Sequence, residues 1–98
     1  MNELLKLGFT EKEIDNLIKD YDENRVYSLI LNFENTKKIF NTLKSMHVSD
    51  VKNLVFCRID LFTMNYDEFI LKLKNSNISN IGERINDDVD VIEDIFFN

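Results

Sequence analysis

The chain predicts an all-α domain with no sheet, built either as a short helical-repeat array or as a compact multi-helix bundle. Three observations lead there. Apolar residues recur at helical spacing along most of the chain. Helix-capping polar residues stand just ahead of several of these runs. A pattern also returns at an offset of 30 residues, a period typical of helical arrays.

The first helix signal is Thr10-Glu11-Lys12-Glu13, a capping box in which the Thr hydroxyl accepts from the third helical amide and Glu13 reaches back. Ile14, Leu17 and Ile18 then supply one apolar face. Val26 to Leu31 is rich in β-formers, but no second convincing strand is available to pair with it, so it reads as a helix. Ile39, Phe40, Leu43 and Met46 form the next helical stripe. Asn65-Tyr66-Asp67-Glu68 repeats the capping-box spacing with Asn accepting, ahead of Phe69, Ile70 and Leu73. Ser49 and Ser79 are further caps on this reading. The expected core is Leu17, Ile18, Ile39, Phe40, Leu43, Leu54, Val55, Phe69, Ile70 and Leu73.

The repeat aligns residues 43–66 with residues 73–96 without a gap. Val48-Ser49-Asp50-Val51 meets Ile78-Ser79-Asn80-Ile81, and Ile59-Asp60-Leu61-Phe62 meets Val89-Asp90-Val91-Ile92. The expected organisation is one helical domain over residues 1–98, with units at approximately 4–42, 43–72 and 73–98. Ile81, Ile85, Val89 and Ile92 should then continue the core begun by Val51, Val55, Ile59 and Phe62. The stripe Ile92, Ile95, Phe96 and Phe97 either packs back on the second unit or meets a partner or another copy of the chain.

Composition narrows the function. The 98 residues carry a formal net charge of −6, no proline and one cysteine, so Cys57 has no internal partner for a disulfide. No apolar run approaches a membrane span, and the first residues lack a secretory signal, which sets the expectation of a cytoplasmic protein without a membrane partner. Charge is uneven. Residues 1–34 sum to −4, residues 35–74 to +3 and residues 75–98 to −5.

Catalytic signatures are sparse. There is no Gly-rich phosphate loop, no cysteine pair, no His-x-x-x-His and no Gly-x-Ser-x-Gly. His47, the one histidine, falls in a turn between helices, and no general-base partner stands near it. Cys57 lies in an apolar stretch and reads as a core residue. Asp87-Asp88-Val89-Asp90 lacks the central Gly and terminal Glu of a calcium loop. The expectation is a protein that is not an enzyme and has neither cofactor nor metal.

Leu7-Gly8-Phe9-Thr10 through Ile14, with Leu17-Ile18, resembles the opening of a mitochondrial transcription termination factor (mTERF) repeat. Asn53 to Phe62 resembles that repeat's middle, and Asn65 to Leu73 its closing helix. His47 and Asn77 stand at the repeat's glycine position and Ile59 at its proline position. The resemblance implies a helical array that binds nucleic acid through a basic concave face. Leu7-Gly8-Phe9, with Leu17 and Leu29-Ile30, also resembles a ubiquitin-associated domain, which implies a loop that contacts a protein partner.

Two functions are therefore weighed. The first is a non-enzymatic macromolecule-binding module, a protein–protein interaction or inhibitory protein, whose partner surface is Asp87, Asp88, Asp90, Asp94, Phe96 and Phe97, with a homodimer through the C-terminal end as one form. The second is an mTERF-like nucleic-acid-binding protein that uses Lys37, Lys38, Lys44, Lys52, Arg58, Lys72 and Lys74. Gathering of these seven cations on one face favours nucleic acid; scattering among carboxylates favours protein.

Overall fold

Helix follows helix throughout the computed structural model, which describes residues 2–97, and no strand occurs among them. The order is α1 (Asn2–Lys6), α2 (Glu11–Asp20), α3 (Glu23–Leu31), α4 (Phe33–Ser45), α5 (Val51–Cys57), α6 (Ile59–Thr63), α7 (Tyr66–Asn75), α8 (Ile81–Asp87) and α9 (Val91–Phe96). The all-α expectation holds, including the helical reading of the β-rich stretch. In α3, Val26 and Leu29 are buried while Tyr27 and Leu31 face solvent, a three-residue spacing that suits a helix and not a strand.

Two starts follow the local code. Thr10 Oγ1 accepts from the Glu13 amide at 3.1 Å, and the Thr10 amide donates to Glu13 Oε1 at 2.9 Å. Asn65 Oδ1 accepts from the Asp67 and Glu68 amides at 2.9 and 3.3 Å. Two other caps fall one residue later than expected. Asp50, not Ser49, caps α5 by accepting from the Asn53 amide, and Asn80, not Ser79, precedes α8 in a left-handed conformation. Ser49 is engaged elsewhere: its amide and its hydroxyl both donate to Asn86 Oδ1, at 2.8 and 3.1 Å.

The turns before α2 and α5 share a construction. Gly8 has φ 99° and His47 has φ 69°, each two residues past a helix end. The Phe9 amide donates to the Leu4 carbonyl and the Gly8 amide to the Leu5 carbonyl. Likewise the Val48 amide donates to Leu43 and the His47 amide to Lys44. This is the Schellman closure, in which a left-handed residue lets the chain return two amides to the last helical carbonyls. Asn77, φ 55°, lies two residues past α7, but there the Ser76 hydroxyl donates to the Leu73 carbonyl instead.

Helix α4 is the axis of assembly and touches α3, α5, α6 and α7; α9 packs on α7 and α8. Thr36, the buried polar residue of the core, donates its hydroxyl to the Leu29 carbonyl at 2.8 Å, so its burial carries no unmet hydrogen bond. Two asparagines pin distant turns. Asn35 donates to the Met64 carbonyl at 2.7 Å and accepts from the Tyr66 amide at 2.8 Å. Asn86 donates to the His47 carbonyl at 2.9 Å while accepting from Ser49. Each side-chain amide bridges a carbonyl and the amide two residues on, fixing a turn against a helix from elsewhere in the chain.

Leu17, Ile39, Phe40, Leu43, Leu54, Val55 and Phe69 are buried as expected, whereas Ile18, Ile70 and Leu73 are only partly covered. In the C-terminal unit Ile85 and Ile92 are buried and Ile81 packs against the core. Val89 is instead 37% exposed, because it lies in the turn between α8 and α9, where helical periodicity no longer sets direction. Residues at the two extremes of the chain lie outside the described range, so of the expected units 4–42, 43–72 and 73–98 the last reaches beyond the described residues.

Candidate functional site

Of the seven basic side chains, Lys37, Lys52 and Arg58 stand in ion pairs with carboxylates of the same chain, and Lys44 and Lys52 line one recess. Lys52 Nζ pairs with Glu13 Oε1 at 3.2 Å and donates to the Gly8 carbonyl at 3.2 Å, tying α5 to the turn before α2. Arg58 pairs with Glu93 at 2.7 Å and with Asp60 at 3.2 Å, and its guanidinium lies 4.4 Å from the Phe97 ring centroid. Lys37 sits 3.8 Å from Glu34 on the same helix. Lys38 lies over the Tyr66 ring at 5.6 Å. Lys44, Lys72 and Lys74 form no ion pair among the described residues. At about 100° per residue, Lys72 and Lys74 point to opposite flanks of α7, and Lys38 points about 100° away from Lys37 on α4.

These pairings shift titration. The Thr10 amide, and after it the Lys52 ammonium, hold the Glu13 carboxyl below its ordinary value. The hydrogen bonds that it donates to Asp60, and then to Glu93, push the Arg58 guanidinium up. Burial is the main cause that raises the Tyr21 phenol, whose hydroxyl donates to the Phe56 carbonyl.

The proposed acidic surface divides. Asp87, Asp88, Asp90 and Asp94 are all exposed, and Asp88 caps the turn into α9 by accepting from the Asp90 amide at 3.0 Å. Phe96 does not belong with them. It is 1% exposed and stacks on Phe69 with centroids 5.0 Å apart and planes at 10°, so it is a core residue and not a contact for a partner. Phe97 is partly covered beneath Arg58. The Leu7-Gly8-Phe9 turn is likewise inward-facing: Phe9 is 3% exposed, near Phe40 and Phe56.

Cys57 is exposed, against the expectation of a core thiol. It is the last residue of α5, and Val51, Leu54 and Val55 take the helix's inward arc. The thiol faces a recess of about 410 Å3 with Tyr21, Arg25, Arg58 and Asp60. His47 is exposed in its turn. Among the described residues no group of three or more His, Cys, Asp or Glu is placed to hold a metal ion, and no helix is long and apolar enough to cross a membrane.

One feature that sequence reasoning missed is a groove at the N-terminal end. Leu5 of α1, Ile14 and Ile18 of α2, and the carboxylates Glu11, Asp15 and Glu23 line a recess of about 400 Å3. The signal was present in α2, where Glu11 and Asp15 stand one turn apart beside Ile14 and Ile18. The turn that sets α1 beside α2 was not readable as a groove wall. No family model, curated protein or solved structure matches the chain.

Proposed function

We propose that this protein is a non-catalytic helical module that binds another protein, built as a short array of helical units. The observation that carries this reading is the fate of the basic residues. Lys37, Lys52 and Arg58 are each occupied by carboxylates of the same chain, and the two lysines of α7 diverge. A phosphate-binding face needs several unneutralised cations within reach of one backbone, because affinity grows with each phosphate contact. Of the four cations outside ion pairs, Lys72 and Lys74 point to opposite flanks of α7, and acidic segments flank the basic stretch on both sides. The left-handed turns at Gly8 and His47 support the array reading, since the same hydrogen-bonded closure recurs after α1 and after α4.

The experiment is affinity capture on the full chain, with and without nuclease, read by mass spectrometry, beside titration of duplex DNA and of RNA at rising salt. A protein captured equally after nuclease supports the reading. A nanomolar, sequence-specific nucleic-acid complex at physiological salt overturns it and installs the mTERF-like alternative.

A further inference from the structure

The groove between α1 and α2 has two properties that together specify an occupant. Its floor is apolar: Ile14 and Ile18 lie one turn apart on α2, and Leu5, 41% exposed, faces them from α1. Its rim is acidic: Glu11 and Asp15 run parallel to the isoleucines, and Glu23 at the start of α3 closes the end. Among the described residues that line it none is basic, and none of the three carboxylates forms an ion pair with a described residue. The walls are set firmly. The Schellman turn at Gly8 fixes the end of α1, and the Thr10–Glu13 capping box fixes the start of α2.

We infer that this groove receives a basic amphipathic helix of a partner protein, an inference that rests on the protein-binding reading above. The two rows of α2 repeat every four residues, the spacing at which the side-chain ridges of a second helix interdigitate. An apolar residue of that helix seats between Leu5 and Ile18, and Lys or Arg one turn to either side meets Glu11, Asp15 and Glu23. The net −4 of residues 1–34 steers such a cation-bearing segment toward this end of the molecule. The C-terminal carboxylates Asp87, Asp88 and Asp90 are exposed too, but the exposed apolar residue beside them is the single Val89, so they attract charge without seating a side chain.

The test is amide chemical-shift mapping of the full chain with three synthetic peptides: a Leu/Lys amphipathic helix, its Leu/Glu counterpart, and the Leu/Lys peptide with a central proline. The Leu/Lys helix is expected to move the amides of Leu5, Ile14 and Ile18, and the other two to bind at least tenfold more weakly. The near-isosteric pair Glu11→Gln and Asp15→Asn, and separately Leu5→Ser, should each weaken binding tenfold or more. The charge-matched pair Asp87→Asn and Asp88→Asn should leave it unchanged. Shifts centred on the C-terminal carboxylates, equal binding of the proline peptide, or indifference to Glu11→Gln/Asp15→Asn overturns the inference. The broader reading fails separately: a protein partner captured as well by the Glu11→Gln/Asp15→Asn variant as by the parent keeps protein binding and removes this groove as the site.

Discussion

Gly82 lies directly against the Met46 carbonyl: a Cβ built on it would stand 2.8 Å from the carbonyl carbon and closer still to the oxygen. The first turn of α8 therefore rests on the backbone where α4 ends, and Asn86, one turn on, holds the same joint through His47 and Ser49. This is how α8 is seated on the end of α4 and the turn that follows it.

Gly82→Ala should unseat it. The clash is with backbone, which cannot rotate aside, so the expected cost is about 3 kcal/mol or more. Thermal unfolding of the variant measures this. A transition within a degree of the parent would mean that α8 does not rest on Met46.

His47→Gly should act in the opposite sense. An L-residue in the left-handed region costs about 1 kcal/mol or more relative to glycine, and the bond that Asn86 makes is to the His47 carbonyl, which glycine retains. A gain of about 1 kcal/mol in chemical denaturation is expected. A loss would assign the imidazole a packing role.

Phe96→Ala should destabilise by about 3–5 kcal/mol, because the ring is buried on Phe69. Deleting residues 78–98 should abolish the cooperative transition by exposing the face of α7. A truncated chain that melts as the parent does would show the tail to be an independent segment.

Cys57 should react at once with a thiol reagent in the native state, as an exposed group does. Cys57→Ser should change stability by no more than about 0.5 kcal/mol. Labelling that waits for unfolding would place the thiol in the core after all.

Acid should release the Glu13 contacts. Its folded carboxyl titrates below the ordinary 4.5, so its contribution is complete above that pH and is lost as pH falls through the lowered folded value. Stability measured from pH 6 downward should therefore fall less steeply in Glu13→Gln than in the parent. Parallel curves would show that Thr10 and Lys52 do not favour the charged form.

Sequence alone determined the helical class, the absence of a sheet and the helix starts at Thr10 and Asn65. These rest on contacts within one or two turns, between residues two to four apart in the chain, such as Thr10 with Glu13 and Asn65 with Glu68. The inward stripe of α4 was legible for the same reason, since Ile39, Phe40 and Leu43 follow the helical period. Tertiary structure decided the rest. Ser49 loses its capping role to Asp50 because Asn86, 37 residues away, engages it. Lys52 is paired by Glu13 at a separation of 39, and Arg58 by Glu93 at 35, so two cations of the basic middle segment are met by carboxylates from distant parts of the chain. Cys57 and Val89 turned outward where a helix ended, and Phe96 turned inward because α9 met α7. The N-terminal groove exists only because the Gly8 turn sets α1 beside α2. No periodicity of three or four residues encodes which side chain will arrive from the far end of the chain; that is settled when the helices pack.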